Sequence, residues 1–144
     1  MKNAFKFSIF LAMITVALMS CSKKNDPAGG GGKDGKLSPP SWIQGTWGVT
    51  GIAEITFTSN DVIYDDMSIV EVFSVNITGV IKNTIKETKN TSSLYEFVAT
   101  STEAGKKTET MNFSFKKGDG TYIEFGFSDD GSPITSYVKI NKKK

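Results

Sequence analysis

Histidine and arginine are both absent from this 144-residue chain, and cysteine occurs once, at Cys21. Without histidine the chain lacks the commonest general base and the commonest metal ligand. Without arginine it lacks the planar donor group that reads phosphate or guanine through two hydrogen bonds. A single cysteine forms no internal disulfide and no cysteine-rich zinc site. These absences predict no metal site, no cofactor and no enzymatic activity.

Excess charge of one sign is also scarce. Residues 1–20 contain two lysines and no acidic residue, so their removal leaves 15 lysines against 15 acidic residues. Domains that bind nucleic acid carry a basic excess on one face. A nearly neutral chain without arginine therefore predicts no nucleic-acid partner.

The N-terminus has the organisation of a bacterial secretion signal. Residues 1–6 are positively charged, and the 12 residues 7–18 are apolar. This apolar run suits the core of a signal peptide, but a transmembrane helix needs about 18 residues or more. The following residues 18–21, Leu-Met-Ser-Cys, resemble the lipobox at which bacterial lipoproteins are cut and acylated on cysteine.

The resemblance to a lipobox implies a signal peptide over residues 1–20 and fatty acyl chains, such as palmitate, on Cys21. The membrane is then a partner of the chain through that lipid. Ser22 stands where an aspartate would signal retention in the inner membrane, so the outer membrane is the predicted location. Whether the domain faces the periplasm or the cell surface stays open. Residues 21–40 are rich in glycine and poor in apolar side chains, which predicts a flexible tether.

Residues 41–142 are predicted to form one domain of antiparallel strands. Apolar side chains recur at every second position, which is typical of strands with one buried and one solvent-facing side. Turn residues separate these segments, so an all-β sandwich or barrel is indicated. The alternating sets are Ala53, Ile55 and Phe57; Tyr95, Phe97 and Ala99; Met111, Phe113 and Phe115; Ile123, Phe125 and Phe127; and Ile134, Val138 and Ile140.

The alternation also predicts how the later strands pair, because a slip of one residue would turn every side chain to the other face. A three-residue loop centred on Gly105 sets Phe97 opposite Phe113. A three-residue loop over residues 118–120 sets Phe113 opposite Phe125.

The last predicted hairpin uses a two-residue turn, Asp130-Gly131. This turn sets Phe127 opposite Ile134, so the closing strand would begin at Ile134. The three hairpins together predict a four-stranded meander over residues 94–141.

The middle of the chain supports two interpretations. Ser68 and Glu71 match a capping box, and Ile69, Val72 and Phe73 would share one helical face. The β-branched residues in this stretch favour a strand instead. A short helix over residues 68–75 is the preferred prediction, and residues 82–89 are predicted to form a polar, exposed strand.

Gly45-Thr46-Trp47, just after a turn containing Trp42, resembles the entry motif of lipocalins. The chain is similar to the small lipocalin-like lipoproteins of Gram-negative bacteria. This resemblance implies an antiparallel up-and-down β-barrel of about eight strands, with Trp47 closing one end. In lipocalins that tryptophan commonly packs under an arginine, so here Lys139 or packing alone would take its place.

Three functional hypotheses follow. The first is a barrel that holds a small apolar or amphipathic ligand against its aromatic side chains, with a few polar groups to orient it. The second is a non-enzymatic interaction or structural module of the cell envelope with a packed interior and a protein partner that the sequence does not identify. The third, an enzyme, has little support. The residues predicted to line the ligand site are Trp47, Phe57, Tyr64, Tyr95, Phe97, Phe113, Phe125 and Ser136.

Overall fold

The computed structural model describes residues 35–49 and 53–144. The predicted signal peptide, Cys21 and residues 22–34 of the predicted tether lie outside the described residues. The described part contains nine strands and one short helix, which confirms the all-β, antiparallel prediction. In chain order these are β1 (Gly45–Val49), β2 (Ala53–Phe57), β3 (Val62–Tyr64), β4 (Met67–Ser68), α1 (Ile69–Ser74), β5 (Ile81–Asn90), β6 (Leu94–Glu103), β7 (Glu109–Lys117), β8 (Tyr122–Ser128) and β9 (Val138–Lys142).

All nine strands form one curled sheet in the order β4-β3-β2-β1-β9-β8-β7-β6-β5. Neighbouring strands are antiparallel and follow one another along the chain, and β1 also pairs with β9. The sheet curls into half a barrel whose two edges are β4 and β5. Helix α1 lies between these edges, because it packs against β3 and β4 as well as β5 and β6.

The stretch that had two interpretations contains a two-residue strand followed by a helix. Ser68 is the N-cap of α1, and its hydroxyl accepts a hydrogen bond from the backbone N–H of Glu71 at 2.9 Å. This bond satisfies one of the N–H groups that a helix start leaves unpaired. Ile69, Val72 and Phe73 are buried, which confirms the predicted helix and its apolar face. No helix among the described residues is long and apolar enough to cross a membrane.

Asp61 joins the start of α1 to β3. Its Oδ1 accepts from the backbone N–H groups of Val62 at 2.7 Å and Val70 at 3.1 Å. Its Oδ2 accepts from the hydroxyl of Ser68. One half-buried carboxylate therefore holds a strand, a helix and the helix cap together.

Asp61→Ala is expected to lower the free energy of unfolding by about 2 kcal/mol, because three donors lose their acceptor. Urea unfolding of the purified chain, followed by tryptophan fluorescence, measures the change. Ser59→Ala alters an exposed side chain in the same loop and is the control. Equal losses in the two variants would show that the carboxylate has no special part in holding α1.

The pairing of β6 with β7 is the predicted one. Tyr95 lies opposite Phe115, and Phe97 lies opposite Phe113. The next pairing differs from the prediction by two residues: Phe113 lies opposite Phe127 instead of Phe125. A shift of two keeps each side chain on its face of the sheet, so the predicted apolar face is retained.

Gly118 explains the shift between β7 and β8. A Cβ at this position would lie 2.4 Å from the carbonyl oxygen of Tyr122, so only glycine allows the two backbones to come this close. The loop tip is then residues 119–121, one position later than predicted. Asp119 closes it by accepting hydrogen bonds from the backbone N–H and the hydroxyl of Thr121.

The predicted turn at Asp130-Gly131 and the strand from Ile134 are both wrong. Strand β9 begins only at Val138, which lies opposite Phe125. Residues 129–137 instead form a long connection that we call the outer strap. Its bend is fixed at Ser132, whose carbonyl accepts from the hydroxyl of Ser128 at 2.7 Å and from the amide of Asn112 at 3.1 Å.

The outer strap lies against the face of the sheet that points away from the aromatic side chains. Gly126 provides the room, because a Cβ there would lie 2.4 Å from a methyl group of Ile134 and 2.8 Å from the ring of Tyr137. Ile134 was expected on the inner face and lies on the outer one. Two-residue turns fold a chain back within its own sheet, whereas this strap crosses over the neighbouring strands.

Residues 35–44, which we call the N-terminal strap, run alongside β5. The backbone N–H of Gly35 bonds to the carbonyl of Ile85, and that of Ser38 bonds to the carboxylate of Glu87. Leu37 is 1% exposed and Pro39 is buried, so packing begins before the predicted domain boundary at residue 41. The strap covers part of an edge strand that would otherwise present unpaired backbone groups.

Candidate functional site

A cluster of aromatic rings fills the inner face of β6, β7 and β8. Phe97 stacks on Phe113 with ring centroids 4.5 Å apart, and Phe115 stacks on Phe125 at 5.1 Å. Tyr95 lies 6.4 Å from Phe115 in a stacked arrangement. These distances are typical of favourable aromatic pairs. The sheet pairing brings these side chains together because they occupy facing positions on one side of adjacent strands.

Phe57 connects this cluster to the other side of the curled sheet. It comes from β2, which is separated from β7 by β1, β9 and β8. Its ring nevertheless lies 4.8 Å from that of Phe115 and 6.5 Å from that of Tyr95, edge to face in both cases. All three side chains are at most 2% exposed. At this level the two walls of the half-barrel are therefore in direct contact.

Trp47 is buried next to the N-terminal strap. It is 1% exposed, and its indole N–H donates to the carbonyl of Ile43 at 2.6 Å. The cation above its ring is Lys142, at 5.3 Å from the ring centroid, and not Lys139. Lys139 instead lies 3.6 Å from the ring centroid of Tyr122. Lys142 is the residue of β9 that pairs with Trp47, whereas Lys139 lies three positions away, on the opposite face of β9.

The Tyr95 hydroxyl is buried among these rings and makes no hydrogen bond of good geometry to the described residues, although the Glu87 carboxylate and the backbone of Ser38 lie near it. Burial raises the pKa of Tyr95, and the nearby Glu87 carboxylate raises it further. Glu87 itself accepts from the backbone N–H of Ser38 and from the side-chain amide of Asn90. An unpaired buried hydroxyl is costly, so this position is where a water molecule or a ligand atom would be most favourable.

Tyr95 also predicts a dependence of stability on alkaline pH. Its raised pKa means that the folded chain favours the neutral phenol, so this contribution is complete below the ordinary tyrosine pKa near 10 and is lost as the pH rises above it. Between neutral pH and pH values above 10, the free energy of unfolding of Tyr95→Phe is expected to fall less than that of the parent chain. Urea unfolding at a series of pH values measures how steeply the free energy of unfolding changes with pH in each protein. Identical slopes for the two proteins would contradict the assignment.

Trp47, on β1, and two further predicted ligand-site residues are not part of the aromatic cluster. Tyr64 ends β3 opposite Ile55 and is half-buried, and burial together with the charge of Asp65 raises its pKa. Ser136 is exposed on the outer strap, away from the inner face on which it was expected. Residues 133–137 belong to the outer strap and lie on the outer face of the sheet. Because they are not part of a strand, side-chain alternation does not predict which way they point.

Two residues of the interior were missed as site candidates. Phe115 contacts four other rings and is 1% exposed. Glu87 lies opposite Phe97, so its side chain belongs to the inner face of a strand that was predicted to be polar and exposed. The sequence does contain a signal for this placement: Glu87 is two positions from the apolar Ile85, which is fully buried, so both lie on the same face of the strand. Strand β5 is confirmed, but one of its faces belongs to the core.

The outer face carries a cleft with a volume of about 280 Å³ beneath the outer strap. Ser114, which is fully buried, lies under the strap, where its hydroxyl donates to the Glu96 carboxylate at 2.9 Å and accepts from the Tyr137 hydroxyl at 3.2 Å. Lys116 lies over the ring of Tyr137 at 3.5 Å. The residues around the cleft are Thr88, Glu96, Phe97, Val98, Asn112, Phe113, Pro133, Ile134 and Tyr137.

Neither region has the groups that a metal site needs. Among residues 35–49 and 53–144, no three carboxylate, histidine or cysteine side chains lie close enough to hold an ion. Comparisons with models of protein families, with characterised proteins and with solved structures find no match for this chain.

Proposed function

We propose that this chain is a lipid-anchored, non-enzymatic module of the bacterial cell envelope that recognises a partner through its outer surface. The contact between Phe57 and Phe115 carries the proposal, because rings from opposite walls occupy the space that an interior ligand would need. Anchoring is supported by the lipobox-like residues 18–21. The absence of histidine and the single cysteine support a role without catalysis.

A concave surface on the outside supports recognition there. The cleft beneath the outer strap combines an apolar floor at Val98 with the polar side chains of Glu96 and Asn112. Interfaces commonly combine an apolar centre with a few oriented polar groups. The strap is held by hydrogen bonds to Ser128 and Asn112, so the cleft does not need to form on binding.

Site-specific photo-cross-linking in intact cells tests the proposal. A cross-linking side chain at Pro133, an exposed residue that lines the cleft, is expected to capture one partner reproducibly. The same side chain at Thr121, an exposed loop position, is the control and is expected to capture it rarely. Capture of unrelated neighbours at similar rates from both positions would count against the proposal.

A second candidate is a lipocalin-like domain that binds a small apolar or amphipathic ligand inside the half-barrel. The unpaired hydroxyl of Tyr95 favours it, since a ligand oxygen or nitrogen at that point would complete a buried hydrogen bond. Solvent extraction of the purified chain followed by mass spectrometry, and titration with an environment-sensitive apolar probe, address this candidate directly. Uptake of one probe molecule per chain would favour the interior ligand over the outer surface.

Tyr95→Phe separates the two candidates without knowledge of the ligand. Removal of a hydroxyl that has no partner is expected to leave the stability of the ligand-free chain unchanged or slightly higher. Chain purified with an interior ligand bound to that hydroxyl should instead lose stability by about 1 kcal/mol. Urea unfolding before and after solvent extraction distinguishes the two results.

A further inference from the structure

Two apolar side chains are exposed to solvent in the turn between α1 and β5. Ile77 is 42% exposed and Val80 is 50% exposed, and both belong to the turn between α1 and β5. With Val138, at 57% exposed, they are the large apolar side chains that stand out from the described surface. Ile77 and Val80 lie three positions apart in a single tight turn, which we call the apolar tip (residues 77–80).

Hydrogen bonds on three sides fix the apolar tip. Ile77 and Ile81 exchange backbone bonds of 2.8 and 2.9 Å, and the N–H of Val80 bonds to the carbonyl of Ile77. The N–H of Ala104 bonds to the carbonyl of Val80, which joins the tip to the turn between β6 and β7. These bonds fix the backbone of the turn at the end of β5, and both side chains are exposed there.

Three lysines and one acidic residue, Glu103, which pairs with Ile81, lie in the segments that adjoin the tip. Lys82 follows it in β5, and Lys106 and Lys107 lie in the turn that the Ala104 bond attaches to it. All three are exposed, and Lys106 pairs with Glu103 at 2.7 Å. Apolar side chains with lysines beside them suit the boundary between acyl chains and anionic headgroups.

The direction of the N-terminal strap places the start of the described chain towards the same end. Gly35 bonds to Ile85, in the middle of β5, and Trp42 bonds to the carbonyl of Thr91, just beyond its end. The strap therefore runs parallel to β5, and its first residue is the one nearest the apolar tip. A Gly-rich chain of the length that separates Cys21 from Gly35 has a root-mean-square reach of roughly 20 Å.

We infer that the apolar tip is a membrane-contacting surface that lies against an anionic bilayer when Cys21 carries its lipid. The inference rests on the proposed lipid anchor. It adds which end of the domain faces the lipid: the tip and the turn at residues 104–107 touch the headgroups, and the loop at residues 91–93 points away. The outer cleft then stands along the side of the domain, accessible to a partner.

Fluorescence quenching on reconstituted protein tests this orientation. The acylated chain is placed in vesicles of phosphatidylethanolamine and phosphatidylglycerol, with one environment-sensitive label at Val80→Cys or, as a matched control, at Ser92→Cys in the loop at the far end of β5. Cys21 carries the lipid, so each variant has one reactive thiol. Nitroxide lipids are expected to quench the label at position 80 several-fold more than the label at position 92, and an aqueous quencher is expected to show the reverse order.

Equal quenching at the two positions, or a label at position 80 that stays accessible to the aqueous quencher, would overturn the inference. A label at position 80 shielded from both quenchers would also overturn it, because a protein surface would then cover the tip. Ile77→Ser combined with Val80→Ser gives a second readout: the unlipidated chain should partition into the same vesicles about tenfold less well than its parent. The mass of the N-terminal peptide shows separately whether Cys21 is acylated, so failure of the anchor is distinguishable from failure of the orientation.

Discussion

Phe115→Ala is expected to lower the free energy of unfolding by about 4 kcal/mol. Phe115 is 1% exposed and touches rings from three other strands: Phe57 on β2, Tyr95 and Phe97 on β6, and Phe125 on β8. Its loss removes the transfer free energy of a large side chain and leaves a cavity at the point where the two walls meet. Domains of this size are stable by about 5–15 kcal/mol, so the loss would be a large fraction of the total.

Urea unfolding followed by the fluorescence of Trp42 and Trp47 measures the loss, and an unchanged slope with denaturant shows that both states keep their compactness. Phe127→Ala is the matched control, since it makes the same chemical change on the next strand at a half-buried position. We expect the control to lose clearly less stability. A loss below about 1 kcal/mol for Phe115→Ala would mean that the walls are not held together by this ring.

The same variant also bears on the two candidate functions. Cavities with mainly apolar walls take up small apolar molecules. If the parent chain takes up no apolar probe and Phe115→Ala does, the filled interior of the parent is what prevents binding. Uptake by both proteins would favour the interior ligand, and uptake by neither would show that the core closes over the cavity.

Side-chain alternation predicted the faces of the strands better than their register. Phe113, Phe115 and Phe125 were assigned to the buried face, and they lie there although two hairpins are shifted. Each shift is two residues, which leaves the alternation intact. The geometry of the loop decides the register. That geometry depends on close backbone approaches such as that of Gly118 to Tyr122, and the number of residues in the loop does not reveal them.

Contacts between distant parts of the chain were the least predictable. The capping box at Ser68 and Glu71 is local, and the helix that it predicts is present. The outer strap depends on small residues in two strands, Ser114 and Gly126, which leave room for Ile134 and Tyr137. Alternation alone treats a small outward residue as an ordinary solvent-facing position, so it does not predict this packing.

The residues of the candidate site are predictable from the sequence where they follow from the buried faces of the strands. Five of the predicted residues, namely Phe57, Tyr95, Phe97, Phe113 and Phe125, lie in one cluster of rings, because they share the inner face. Ser136 was placed with them through a strand that does not form there. Whether the cluster is a binding surface or a core depends on how closely opposite walls approach, and that distance follows from the curl of the sheet.

Cys21→Ser is expected to abolish fatty acylation and to remove the chain from the outer-membrane fraction. The proposed anchor is a thioether-linked lipid, and serine has no sulfur with which to form it. Acyl chains contribute about 0.8 kcal/mol for each buried CH₂ group, and one chain alone holds a protein only marginally, so an anchor with several chains is needed for stable attachment. Metabolic labelling with an alkyne fatty acid, followed by fractionation of the two membranes, measures both effects.

Ser22→Asp is the informative control, because it leaves Cys21 in place and alters only the residue after it. We expect this variant to incorporate the alkyne fatty acid as the parent does, but to remain in the inner membrane. Acylation of Cys21→Ser would show that the lipid is attached to another residue. A parent chain that is cut without being labelled would mean that residues 18–21 act as an ordinary cleavage site. The β-domain would then have no lipid to orient it, and recognition would have to take place in solution.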